Sequence, residues 1–436
     1  MKIKPLLSAA LIFSSMLTYA QTEKCATPLN FRQRVKQNPQ LLETRQNIEK
    51  IAAKWLKENN LSKADSAIVT IPVVVHVVYN PNTPEQNIAD SLIYSQIERL
   101  NKDFRKLNDD TIYARSIFDT LAADIQIEFC LANVDPNGNW TNGINRVQST
   151  QSNFFMTPFD NSVKSSSTGG ADPWPADSYL NLWVCDMSFG GTPFVLGYAQ
   201  FPGEDPATDG VVITYQHFGD RPWDSNAAPA NKGRTATHEV GHWLGMRHIW
   251  GDGACDSTDY VGDTPNADAA SQSDCDTTKN TCFDTSSYWA SRGIDPPDMV
   301  ENYMDYSADA CMNMFTKGQK ARMWSFLNTA RASLLNSQGC SGQWNSVNEN
   351  FISAESVKLF PNPVNNNRTV TLEWPLEHRF NRIELYNQLG ELLYSSNFIS
   401  NIGSFTLNLP NNISKGVYFL KLKSDKSEVS KKIVFH

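Results

Sequence analysis

His238, Glu239 and His242, followed by Gly245 and His248, are the residue types in this chain whose spacing best suits chemistry. They stand in THEVGHWLGMRHIW, residues 237–250, which reads H-E-x-x-H-x-x-G-x-x-H. On a helix, side chains four apart share a face, so His238 and His242 can converge on one Zn²⁺. Glu239 then projects beside them, near enough to a water at the metal to take its proton without being a ligand. Gly245 has no Cβ, so it can adopt the left-handed conformation that ends a helix and turns the chain sharply. That turn delivers His248 as third ligand and leaves the fourth position open for water, as hydrolytic zinc requires. The competing reading is an amphipathic helix with histidines on a wet face. Five matching positions in a chain with only 7 histidines disfavour it. The expected chemistry is peptide-bond hydrolysis: zinc polarises the carbonyl and acidifies the water toward a pKa of about 7, while Glu239 carries the proton to the leaving amine.

Such a helix needs a frame. IPVVVHVVYN (71–80) is a β-branched run that reads as a buried strand, with His76 expected to be a satisfied core residue rather than a ligand. Residues 91–107 carry Leu92, Ile93, Ile97, Leu100 and Phe104 at helical spacing. IQIEFCLA (125–132), YLNLWVCDM (179–187) and GVVITYQHF (210–218) read as further strands, separated by Gly- and Pro-rich turns. Alternating strands and helices predict an α/β layer with a mixed sheet ahead of the metal helix. Residues 251–311 then turn rich in Asp, Ser, Thr, Gly and Cys with little periodicity, so a loop-built region stapled by Cys255, Cys275, Cys282 and Cys311 is expected. Within it, Asp256, Asp259 and Asp263 beside the Thr264 carbonyl read either as a Ca²⁺ site or as a solvated acidic loop. A helix over 317–335 closes the domain, which ends at Gly339-Cys340.

A chain of 436 residues is too long for one ordinary domain, and 40% hydrophobic content suits globular cores. A net charge of -8 with no basic stripe argues against nucleic acid as a partner. Residues 1–20 read as a signal peptide: Lys2 and Lys4, an apolar run from Pro5 to Leu17, then Thr18-Tyr19-Ala20 as a cleavage site. No later stretch has the roughly 20 apolar residues of a membrane span, so the mature protein is expected to lack a transmembrane segment. Export permits disulfides among the 8 cysteines. Residues 21–66 are polar and helix-prone, most clearly over 39–61, and read as a propeptide. Cys25, isolated in EKCATP, reads as a thiolate that fills the open zinc position and holds the enzyme latent; a disulfide partner or an idle thiol are the alternatives. The catalytic domain is set at 67–340, a polar linker at 341–354, and a cysteine-free region of short strands and turns at 355–436 predicts a small β-sandwich. Pairing of Cys130, Cys185 and Cys340 is left open by the sequence.

The extended zinc motif, with ENYMDYS at 301–307, resembles the metzincin clan, and HEVGHWLGMRHIWGD with NYMDYSADACMNMFTKGQ resembles its pappalysin (M43) family, ulilysin-like members included, over about 70–340. The resemblance implies an α+β fold with a sheet-and-helix upper lobe and a loop-rich lower lobe around a cleft. It implies that Met304 forms the turn beneath the metal and that Tyr306 stabilises the oxyanion. It also implies pairing of Cys255 with Cys282 and Cys275 with Cys311, structural calcium at Asp259 and Asp263, and a propeptide cysteine switch at Cys25. In ulilysin-like members an acidic residue just before the last of these cysteines selects Arg or Lys after the cut. Here that position is Ala310, with Asp309 one residue earlier, so a weaker basic preference is expected. The tail, with LFPNPV, LYNQLGELLY and GVYFLKLKS…KKIVF, resembles the C-terminal sorting domain of type IX secretion. That implies export across both membranes, to the surface or the medium, with the type IX machinery as partner.

The reading reached from sequence is a secreted zinc endopeptidase acting on proteins or peptides. A zinc exopeptidase is one rival, disfavoured by the lack of an evident terminus-binding site. An adhesion module on a dead protease scaffold is the other, disfavoured by the intact Glu239, which a binding protein does not need.

Overall fold

The computed structural model describes residues 23–59, 68–341 and 357–435, apart from 366, 375–379, 388–389, 398–403, 411–412 and 425–427. The expected signal peptide and nearly all of the expected linker lie outside the described residues. The chain divides into two compact units, Met1–Gly342 and Gln343–His436.

The first unit is built on a sheet of seven strands. Its longest strand, β2 (Val69–Tyr79), follows a short strand β1 (Glu23–Cys25) and the helices α1 (Thr27–Gln37) and α2 (Gln40–Glu58). Every residue of β2 from Ile71 to Val78 is buried, as its unbroken apolar run demands of a strand covered on both faces. Pro72 is tolerated because β5 (Leu180–Cys185) pairs with β2 only from Val73 onward. On its other side β2 pairs in parallel with β3 (Ile127–Leu131) and then with β4 (Ile144–Gln148). Beyond β5, β7 (Val211–Thr214) runs parallel to it, and β6 (Val195–Ala199) pairs antiparallel with β7. The sheet is therefore mixed, as expected. His76 is fully buried, stacked on Trp183, with Asn181 and Asn145 on its two ring nitrogens. Burial pulls its pKa down to about 4, which fits a neutral core residue.

Helix α3 (Asp90–Phe104) buries Ile93, Ile97, Leu100 and Phe104, the stripe its spacing predicts. It packs beside the fully buried helix α4 (Arg234–Trp243) in the main core. Residues 251–311 form no sheet strand and only a single-turn helix, Ser287–Ala290. Disulfides Cys255–Cys282 and Cys275–Cys311 tie this region, and Cys130–Cys340 ties the end of the unit back to β3. Helix α5 (Lys317–Leu327) opens on a capping box in which Thr316 and Gln319 bond reciprocally.

The expected run of that helix to residue 335 is corrected: it ends at Leu327, and a separate 3-10 turn covers Ala332–Asn336. The cause is Arg331. Its Nε donates to the Trp243 carbonyl at the end of α4 (2.7 Å), and its other nitrogens fork onto Asp209 at 2.8 and 2.9 Å. A continuous helix would carry that guanidinium away from both partners.

In the second unit, β8 (Lys358–Phe360), β9 (Thr369–Glu373) and β12 (Ser404–Asn408) form one antiparallel sheet. The other contains β10 (Arg382–Tyr386), β11 (Leu392–Asn397), β13 (Gly416–Lys423) and β14 (Glu428–Phe435). Tyr418, Leu420 and Leu422, alternating along β13, enter a core shared with Val370, Leu372 and Leu407 of the first sheet. This is the expected small sandwich.

Candidate active site

Helix α4 presents His238 and His242 on one face. It ends at Trp243, and Gly245 takes φ +91. A Cβ there would lie 2.2 Å from the Phe326 ring, so only glycine permits both the turn and the packing. The turn returns His248 to the other two. The three Nε2 atoms stand 3.0–3.2 Å apart, and all three rings are buried.

Each Nδ1 faces an acceptor: the Tyr303 carbonyl at 2.7 Å for His238, the Met246 carbonyl at 2.9 Å for His242, and the Asp252 carboxylate for His248. Those acceptors fix the protons on Nδ1, so three neutral lone pairs face one another across the centre. Lone pairs at that spacing repel, and a cation between them removes the repulsion. The donor set suits zinc. Burial, and then the neighbouring imidazoles, pull His238 and His242 well below the ordinary histidine range.

Cys25 completes the group: its Sγ and the three imidazoles offer ligand atoms within 4.8 Å of one another. It arrives on β1, which adds to β6 in parallel, Cys25 lying opposite Gly197. Glu239, on α4, is fully buried and accepts a hydrogen bond from the Thr27 hydroxyl (2.8 Å). Burial pushes its pKa up to about 8, against hydrogen bonds from Cys25 and Thr27. Gly197 makes the room for it, since a Cβ there would meet Glu239 Cγ at 2.9 Å. Met304 lies beneath α4 at Gly241, where a Cβ would touch its sulfur at 2.5 Å. Tyr306 sits with its ring centroid 4.9 Å from that of His248, and its hydroxyl donates to the Cys25 carbonyl at 3.0 Å.

Ala310 is exposed, whereas Asp309 is fully buried. Asp309 Oδ2 accepts from the backbone amides of Lys232 (2.8 Å) and Arg234 (3.3 Å), which ties it to the start of α4. The buried ammonium of Lys24 donates to the Ser307 carbonyl and is opposed by the charges of Asp309 and Asp305. Ala310 brings no carboxylate, and Asp309 is turned inward to the start of α4. Asp259 and Asp263 are buried in the loop region but already bonded: Asp259 accepts from Thr264 Oγ1 (2.7 Å) and the Val261 amide (2.9 Å), Asp263 from Thr316 Oγ1 (2.7 Å) and the Gly318 amide (2.8 Å). The site residues that sequence reasoning missed are Lys24, Thr27 and Asp252. Asp252 alone left a signal, four positions after His248.

Known proteins resemble the chain in both units. The family described as pregnancy-associated plasma protein-A, M43 peptidases, matches residues 164–328, and the secretion system C-terminal sorting domain matches residues 358–436. An extracellular metalloprotease of Verticillium alfalfae is 32% identical over 64% of this chain and 82% of its own length. Mature mirolysin of Tannerella forsythia in complex with a cleaved peptide is 46% identical, covering 63% of this chain and 98% of that one, with a TM-score of 0.56. A promirolysin mutant of Tannerella forsythia is 42% identical, covering 73% of this chain and 99% of that one, with a TM-score of 0.62.

Proposed function

Since the chain belongs to the M43 family of pregnancy-associated plasma protein-A, and is a secreted zinc metalloendopeptidase carrying a secretion sorting domain, we propose that His238, His242 and His248 hold the zinc and Glu239 is the general base. The convergence of three buried Nε2 atoms, each ring oriented by an acceptor on Nδ1, is the observation that carries this reading. Zinc, when bound, polarises the scissile carbonyl and makes water acidic enough to attack near neutral pH. Glu239 takes the proton of the attacking water and returns it to the leaving nitrogen. Tyr306 donates its hydroxyl to the oxyanion; the Cys25 carbonyl it now meets stands in for a substrate carbonyl. Met304 supports the helix beneath the ligands as a positioning residue.

Residues 21–66 are read as a pro-segment that blocks this machinery. Cys25 is its ligand to the metal, Thr27 ties up Glu239, and Lys24 brings a buried ammonium that the charges of Asp309 and Asp305 oppose. The larger share of this chain covered by the promirolysin structure than by mature mirolysin supports that boundary. The expected result for Glu239→Ala is a stoichiometric zinc content with cleavage of a peptide library reduced at least about 100-fold. Appreciable turnover in that variant would overturn the assignment.

Calcium is a finer proposal: Asp259, Asp263 and the Thr264 carbonyl would be its ligands. Burial raises Asp259 to about 7, so a divalent ion there would offset the cost of a desolvated carboxylate. Millimolar calcium, added to zinc-loaded and calcium-free protein, should raise the melting temperature by several degrees. An unchanged melting curve removes calcium from the account.

A further inference from the structure

On helix α2, Glu49 Oε1 accepts from Arg322 Nη2 at 2.7 Å and lies 3.5 Å from Arg247 Nη2. Both arginines lie in the part of the chain that remains once residues 21–66 are gone. Each also has a partner besides Glu49. The Arg247 guanidinium lies over the Tyr260 ring at 4.5 Å, and Arg322 lies over Phe326 at 4.9 Å while its Nε donates to the Gly245 carbonyl at 3.0 Å. Two forks fixed by aromatic rings and backbone are preorganised for a carboxylate.

The precursor leaves them under-used. Arg247 Nε is buried without a hydrogen-bond partner among the described residues. The pro-segment adds a third cation, Arg45, which burial and then Arg247 pull down to about 10. Of the nearby acids in the retained part, Asp252 is engaged by His248, and Asp259 by Thr264 and Val261. A cavity of about 710 Å³ is lined by Arg247, Arg322, Tyr260 and Asp252 together with Arg45, Glu49 and other residues of α1 and α2. Two of these residues adjoin the metal centre: Arg247 precedes His248 in the sequence, and the Asp252 carboxylate faces the His248 Nδ1.

We propose that Arg247 and Arg322 form a subsite of the mature enzyme that receives an acidic side chain of the substrate, and that Glu49 fills this subsite in the precursor. The proposal rests on the reading of residues 21–66 as a pro-segment and of the histidine centre as the catalytic site.

The test uses enzyme processed from the full chain, and peptide pairs that differ only by Glu or Gln at one position, walked along both sides of the cut. At one position the Glu peptide should have a kcat/KM roughly five-fold higher at low salt, the preference shrinking as salt is added. In Arg247→Gln the ratio at that position should fall to about one, and in Arg247→Glu it should turn toward a Lys peptide. Arg247 is chosen over Arg322 because Arg322 also ties the Gly245 turn. The wild-type scan needs no variant to fold: cleavage with no Glu preference at any position overturns this inference and leaves the peptidase reading intact. A Glu preference that survives in Arg247→Gln overturns it as well. Failure of the zinc-loaded, processed enzyme to cut any peptide overturns both.

Discussion

Lys24 is the side chain that most changes what the sequence suggests. A buried ammonium needs opposing charge, and here burial pulls its pKa down while Asp309 and Asp305 pull the other way. We propose that the acids opposing Lys24 receive a basic residue of the substrate once residues 21–66 are gone. A substrate read by Asp309 and Asp305 would show a stronger basic preference than the one expected from Ala310. A peptide library cut by the processed enzyme should show Arg or Lys enriched about ten-fold or more at one position beside the cut, given that charge-assisted bonds at a desolvated site are strong. A library with no basic enrichment would sink this. Gly197 shows the same dependence on single atoms, since its missing Cβ leaves Glu239 its place. Nothing in the local sequence marks Gly197, Lys24 or Thr27, because each matters through a partner more than forty residues away.

Among the elements, β1 is the least predictable from local pattern and the most telling. Three residues, EKC, become a strand only because the edge of β6 offers unpaired backbone groups. Its parallel course carries Cys25 to the histidines, and α1 follows so closely that Thr27 reaches Glu239. Helix α2 matches its sequence pattern, whereas α5 is shorter than its pattern because Arg331 is drawn back to Asp209 and the Trp243 carbonyl. The latency reading belongs here. Cys25→Ala in the full chain should give a precursor that is active, or that processes itself several-fold faster, as followed by cleavage of a quenched peptide over time. Unchanged latency, with the pro-segment still bound, would assign the block to α1 and α2 rather than to the thiol. The Cys25 alternative of a disulfide is not met: Cys25 and Cys185 are free, and the remaining six cysteines are paired.

For the whole molecule, the two compact units match two separate families, a peptidase and a secretion sorting domain. The sandwich unit has its own core, and its described residues bring no histidine or cysteine to chemistry. Ending the chain at about residue 341 should leave the kcat/KM of the processed enzyme within about two-fold while the protein accumulates inside the cell envelope; a truncated form that still reaches the medium would remove the sorting role. Among the described residues no helix is long and apolar enough to cross a membrane.

What could be read from residues alone was whatever depends on near neighbours in the chain. The helical spacing of His238 and His242, the glycine turn at Gly245, the buried run of β2 and the alternation of β13 are of this kind, because helix and strand geometry repeat over a few residues. Recognition of the motif also anticipated the pairing of Cys255 with Cys282 and of Cys275 with Cys311. Tertiary packing alone decided which distant groups face one another: Lys24 with Ser307, Thr27 with Glu239, Glu49 with Arg322, and Arg331 with Asp209. These pairs join distant segments, and each is set by how much apolar surface the elements bury together and by the cost of leaving a buried charge unpaired. Neither quantity has a period along the chain, so no local pattern announces it.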